Sequence, residues 1–287
     1  MTDAERRAAL DAIAREVAVC TGCRLHAGRT RAVPGEGNAD TEVVFVGEGP
    51  GFNEDRQGRP FVGRAGDLLV RLLGSIGWRR EDVFITNVVK CRPPDNRDPE
   101  PDEIAACAPF LARQLTALDP ALVVTLGRHS MGRFMPGARI GQVHGTYRPA
   151  DAATGARDAL VYAMYHPAAA LRSTEVERQS VEDIAGVPLA LLESRRRRDA
   201  AAASAASPAS VADDAPVDET IRPADASAGA AGRSSEATTV PVGTDPPPAE
   251  PRPTPPLEPP VTPPAVPTLG ESPVTPPAEP TDQLSLF

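Results

Sequence analysis

Four short runs rich in β-branched residues, 42–47, 83–88, 121–127 and 160–165, alternate along the chain with patterns of helical periodicity. This alternation constrains the fold more than any other feature. Helical spacing is seen over 4–17, over 63–76 with Leu68, Leu69, Leu72 and Leu73 on one face, over 101–118 after an opening proline, near 129–134, and over 176–195. Strands separated by helices pair in parallel through right-handed crossovers. The expected fold is therefore a three-layer α/β/α sandwich on a central four-stranded, mainly parallel sheet. In such sheets ligands bind beyond the strand C-terminal ends.

The pattern stops near residue 198. Residues 199–287 hold 20 of the 33 prolines, and their sole aromatic is Phe287. A segment so poor in apolar side chains cannot offset the entropy of ordering, so we expect one domain over 1–198 and a disordered Pro/Ala-rich acidic tail over 199–287. The tail carries 3 basic and 13 acidic residues (−10) and the domain 27 and 26 (+1), which sum to the chain's −9. A near-neutral domain is compatible with a local DNA-binding face. Arg195 to Arg198 could be such a patch or a solvated helix end. With no apolar run long enough for a membrane span, and charges throughout the first twenty residues, a cytoplasmic protein with no membrane partner is expected.

A reducing compartment makes metal ligation the natural use of the four cysteines. Cys20 and Cys23 form a C-x-x-C pair, whose turn aims two thiolates the same way; Cys91 and Cys107 arrive from distant sequence. Spacing alone leaves a zinc ion and a 4Fe-4S cluster both open. A thioredoxin-like role fits poorly, because this C-x-x-C follows a helix rather than starting one after a strand.

The unusual residues cluster just after the strands. The first ends in Gly47-Glu48-Gly49-Pro50-Gly51, with Glu54 close behind and Arg59-Pro60-Phe61-Val62-Gly63 beyond. Its glycines bring backbone N–H groups close to a ligand, but the loop has neither a Walker lysine nor the G-x-G-x-x-G order. The second run contains Asn87, whose amide can read a base edge, and leads into Lys90-Cys91-Arg92-Pro93-Pro94; the fourth runs into His166-Pro167.

Taken in order, the C-x-x-C, GEGPG-x-x-ED, GRPFVG, TN-x-VKCRPP, Cys107-Ala-Pro-Phe-Leu111 and HPAAALR resemble the uracil-DNA glycosylase superfamily, specifically its iron–sulfur family 4. The resemblance spans about residues 15–195. Family 5 lacks the acidic residue at the place of Glu54. The covalently trapping relatives carry a Lys-Arg-Arg-Ile-His insertion for which the stretch from Cys91 to Cys107 has no room.

The resemblance implies a monofunctional glycosylase that flips uracil out of DNA and hydrolyses its N-glycosidic bond to start base-excision repair. It implies a 4Fe-4S cluster on Cys20, Cys23, Cys91 and Cys107. Phe61 would stack on the flipped base, and Asn87 would read its O4 and N3–H edge. His166 would donate to O2, helped by backbone N–H groups of Glu48 and Gly49. Glu54 would act on the water or on the sugar cation. Glu48, Gly49, Pro50 and Gly51 would line the base pocket, Gly51 standing where the best-known uracil glycosylases carry a tyrosine that excludes thymine. Leu171 would wedge into the minor groove with Arg172 near phosphate.

The last five residues, Gln283-Leu284-Ser285-Leu286-Phe287, resemble the bacterial sliding-clamp-binding pentapeptide, whose last apolar residues fill a clamp pocket. The tail would tether the enzyme over a root-mean-square span on the order of 50 Å. A monomer is expected. The rival from another class is a non-catalytic DNA-binding or clamp-adaptor protein of the same fold, which would need neither Glu54, Asn87 nor His166.

Overall fold

Helix α1 (Asp3–Val19) starts where Thr2 and Glu5 exchange hydrogen bonds: Thr2 Oγ1 accepts the Glu5 N–H, and Glu5 Oε2 accepts the Thr2 N–H. It buries Leu10, Ile13 and Val17 and ends at Cys20, so the first thiol pair sits directly beyond a helix end. In this computed structural model residues 1–206 are described, so residues 199–206 of the expected disordered tail are seen as helix, while the expectations for 207–287, the terminal pentapeptide included, lie outside them.

The remaining elements run β1 (Glu36–Gly37), β2 (Val43–Gly47), α2 (Phe52–Gln57), α3 (Arg64–Ser75), β3 (Phe84–Asn87), α4 (Pro101–Leu118), β4 (Leu122–Leu126), α5 (Arg128–Phe134), α6 (Ile140–Val143), β5 (Tyr147–Pro149), β6 (Leu160–Met164), α7 (Pro167–Ala170) and α8 (Thr174–Ala206). The sheet has six strands in the order β1-β3-β2-β4-β6-β5. Its four central strands are the expected ones, and all pair in parallel. The expectation of four strands is corrected by two short antiparallel edge strands, β1 and β5. They hold two and three residues, and β5 is exposed throughout, so neither shows an alternating apolar pattern.

Adjacent residues of β2 face opposite layers. Val44 and Val46 pack with Leu111 and Leu115 of α4 on one side, while Val43 and Phe45 pack with the α3 leucines and with Ile184 and Val187 of α8 on the other. Burial on both faces explains why the central strands read as continuous apolar runs.

Helix α8 runs past residue 198 to Ala206. Within it Arg195 pairs with Glu42 and Arg196 with Glu193, while Arg198 pairs with Asp119 and donates to the Pro120 and Arg157 carbonyls. Arg195 and Arg198 fasten the helix to the domain, Arg196 pairs along the helix itself, and none of the three stands at its end.

The chain goes from β2 to β3 on one side and then crosses through α4 to β4 on the other. The order therefore reverses between β2 and β4, opening a crevice at their C-terminal ends.

Candidate active site

Four strand ends supply this crevice. Its cavity of about 690 Å³ is lined by Glu48, Gly49, Pro50, Gly51 and Glu54 after β2, by Asn87 at the end of β3, by Gly127 and Arg128 after β4, and by His166 and Arg172 after β6. Phe61 completes the wall. Sequence-distant Glu54, Asn87 and His166 thus face one space.

Glycines make the convergence possible. A Cβ on Gly47 would lie 2.4 Å from Asn87 Oδ1 and 2.6 Å from Phe61 Cζ, so only a bare backbone lets the amide and the ring meet there. One on Gly127 would lie 2.8 Å from His166 Cβ. Phe61 is buried at φ 51°, a left-handed conformation unfavourable for a bulky residue. Its carbonyl accepts a 2.9 Å hydrogen bond from Arg80 Nη1 and packs on Gly66, where a Cβ would come within 1.9 Å of it. Both contacts fall on the Phe61 carbonyl and hold the strained residue there.

Glu54 is fixed as well. Its Oε1 accepts the N–H groups of Val62 (2.9 Å) and Gly63 (3.1 Å), and its Oε2 lies 2.8 Å from where a Gly51 Cβ would stand. Next to it, the buried Asp55 carboxylate accepts the Thr30 N–H at 2.9 Å, tying α2 to the loop that follows the first cysteine pair.

His166 Nδ1 accepts the Ala168 N–H at 3.1 Å, so in the neutral ring the proton sits on Nε2. Burial, aided by nearby Arg172 and opposed by Glu54, pulls its pKa down to about 4. The Phe61 and His166 rings lie 5.8 Å apart. Asn87 is 1% exposed, and its Oδ1 is one of two buried side-chain polar atoms without a partner among the described residues. An unmatched buried acceptor costs roughly 1–3 kcal/mol, which a ligand donor can recover.

Glu48, whose carboxyl is raised mainly by burial, faces His129, which also contacts Asp98. Arg172 is exposed on the cavity wall. Leu171 is half-buried against the α3 and α8 core and does not line the cavity.

Sequence reasoning gave Lys90 no weight. It is the only lysine in the chain and is 1% exposed, donating from Nζ to Thr86 Oγ1 (2.6 Å), Gln114 Oε1 (2.7 Å) and the Asn87 carbonyl (2.8 Å). Burial draws its pKa down to about 7. It braces the strand end that carries Asn87, and its lone occurrence was the available signal.

Cys20, Cys23, Cys91 and Cys107 line a second, small cavity. Arg29 Nη1 donates to Cys91 Sγ at 3.2 Å, and backbone N–H groups of Gly22 and Lys90 point at Cys20 (3.4 Å) and Cys107 (3.3 Å). Such donors suit thiolates. Tetrahedral zinc with Zn–S bonds near 2.3 Å would hold its sulfurs about 3.8 Å apart. Among the described residues no three of these sulfurs lie within 4.8 Å of one another; only Glu48, Asp98 and His129 form so tight a group of possible ligands. The four thiols are not drawn together as a single zinc ion would hold them, and with these donors they mark a candidate metal centre.

A sheet-switch cavity presenting an amide, a carboxylate and a neutral imidazole is a candidate site for a planar base. The family model for the uracil DNA glycosylase superfamily matches residues 34–185, more than half of the chain, and the chain belongs to that superfamily. Several of its relatives are type-4 uracil-DNA glycosylases. It is 50% identical over 188 residues to the type-4 uracil-DNA glycosylase of Saccharolobus solfataricus, covering 63% of this chain and 86% of that protein. It is 47% identical over 181 residues to that of Thermotoga maritima, covering 62% and 93%. A type-5 enzyme of Pyrobaculum aerophilum is 32% identical over 174 residues, covering 55% and 74%.

Proposed function

We propose that the protein is a monofunctional uracil-DNA glycosylase that extrudes uracil from DNA and hydrolyses the bond between its N1 and the deoxyribose C1′, leaving an abasic site for repair. The orphan Oδ1 of Asn87 carries this reading. Uracil offers an N3–H to that acceptor and an O4 to the amide's N–H. Cytosine has an unprotonated N3 and a donor at position 4, so it leaves both halves of the amide unmatched. Phe61 stacks on the base. Thymine differs by one methyl, which Glu54 Oε2, 2.8 Å from where a Gly51 Cβ would stand, or a neighbouring loop atom excludes.

Extruding the nucleotide costs a few kcal/mol. As the C1′–N1 bond breaks, its electron pair moves onto the uracil ring and O2, and the neutral Nε2–H of His166 with the N–H groups of Glu48 and Gly49 stabilises that charge. Water adds to C1′ and loses a proton. Glu54, locked by two backbone donors, orients or activates that water or counters the sugar cation. Arg172 lies near phosphate, with Leu171 at the adjoining groove.

The four cysteines hold a 4Fe-4S cluster, which ties the end of α1 to the loop after Asn87 and supplies a rigid structural brace. The domain, with α8 carried to Ala206, acts as a monomer in the cytoplasm, and the tail that follows delivers Gln283 to Phe287 to a sliding clamp. Among the described residues no helix is long and apolar enough to cross a membrane.

Incubation with uracil- or cytosine-containing oligonucleotides, followed by alkaline cleavage of abasic sites, tests the activity. Strand breaks at uracil alone are expected. Their absence would leave the adaptor reading in place.

A further inference from the structure

Phe52 stands 52% exposed immediately beyond Gly51, a residue of the cavity wall. Two guanidiniums lie on its ring, with the carbon of Arg56 5.6 Å and that of Arg92 5.3 Å from the centroid. Arg92 comes from the loop after β3, so the contact joins the two loops that wall the site. Its Nε donates to Asn96 Oδ1 at 2.7 Å, and Asn96 also lines the cavity.

Neighbouring arginines are spoken for: Arg59 and Arg80 pair with Glu36, and Arg97 with Glu103. Among the described residues neither Arg56 nor Arg92 has a carboxylate within 4.0 Å. Two unneutralised cations held together by an exposed aromatic ring suit an anion with spread charge, and a guanidinium matches a phosphodiester in shape as well as charge.

We infer that Phe52, Arg56 and Arg92 form a clamp for DNA phosphates beside the extruded nucleotide, with Phe52 as the prop that sets both guanidiniums. This rests on DNA being the substrate.

The test is the salt dependence of binding by the full chain, measured by fluorescence anisotropy on a labelled duplex carrying a non-cleavable abasic analogue. Each phosphate contact on duplex DNA contributes about 0.9 to the slope of log affinity against log salt. Arg56→Gln with Arg92→Gln should make the slope shallower by about 1.8, and each single variant by about half of that. Phe52→Ala removes no charge yet should lose at least half of the double variant's effect. Arg178→Gln, whose arginine is already paired with Glu175 and Glu182, should leave the slope at the wild-type value. An unchanged slope in the arginine variants would overturn the clamp. So would an unaltered Phe52→Ala slope, or an Arg178→Gln effect as large as theirs. Circular dichroism checks that each variant is folded, and the single variants carry the test if the double one is not. Binding is read without excision, so failure of the clamp and failure of the glycosylase reading are distinguishable.

Discussion

Replacing His166 with alanine should remove one neutral donor from the departing uracil and nothing else that the chemistry uses. The Ala168 N–H occupies Nδ1, so Nε2–H is the donor left for the cavity, and a pKa of about 4 keeps the ring uncharged at neutral pH. Loss of one preorganised donor of this kind costs about 3–4 kcal/mol, a fall of roughly 10²- to 10³-fold in rate. The assay is single-turnover excision from a uracil-containing oligonucleotide at saturating enzyme, between about pH 5 and 8. The deficit should be the same at every pH, since the wild-type imidazole does not titrate in that range. A wild-type rate that climbs tenfold per unit on acidification through the ordinary histidine range, with the climb lost in the variant, would mean that an imidazolium does the work and would refute the reasoning.

The same group links stability to pH. Its folded pKa lies below an unfolded value near 6.5, so the folded state resists the proton; stability is fully present above about pH 6.5 and is lost as pH falls towards 4, by up to about 3 kcal/mol. Urea denaturation of wild type and His166→Ala at about pH 7 and 4.5 should show a smaller acid penalty in the variant. Asn87→Ala should lower uracil excision about 10- to 100-fold with little loss of thermal stability, because its Oδ1 bonds to nothing in the free protein; a marked melting loss would assign it to the core instead. Gly51→Ala, whose new methyl would meet Glu54 Oε2 at 2.8 Å, should cut excision through that displaced carboxylate, and retained full activity would show that Glu54 placement is not needed. Cys107→Ala should reduce the visible absorbance of the proposed cluster and DNA affinity before it alters single-turnover chemistry in any protein that remains folded. Deleting residues 283–287 should abolish clamp binding, read by surface plasmon resonance, without changing excision from a short oligonucleotide.

Central strands were legible because burial on both faces writes itself as runs such as 43–46 and 122–126, and α3 because four leucines keep one face. Helix α2, with the sequence FNEDRQ, has no apolar stripe and reads as loop. The extension of α8 through RRRRDAAAASAA follows alanine's helix propensity, which hydrophobic periodicity does not register. At the site, residue types after strands pointed to Glu54, Asn87 and His166. Their settings were not legible: the left-handed Phe61 depends on Gly66 and Arg80 across space, and the unmatched Asn87 acceptor depends on what fails to reach it. Lys90 acquires meaning only once Thr86, Gln114 and the Asn87 carbonyl surround it.

A crystal structure of Glu54→Ala bound to DNA containing deoxyuridine would meet the central claim most directly. The account expects the base outside the stack, its N3–H on Asn87 Oδ1, its O2 on His166 Nε2, and its face on Phe61. A uracil held elsewhere, or one whose pairing edge is turned away from Asn87, would contradict it.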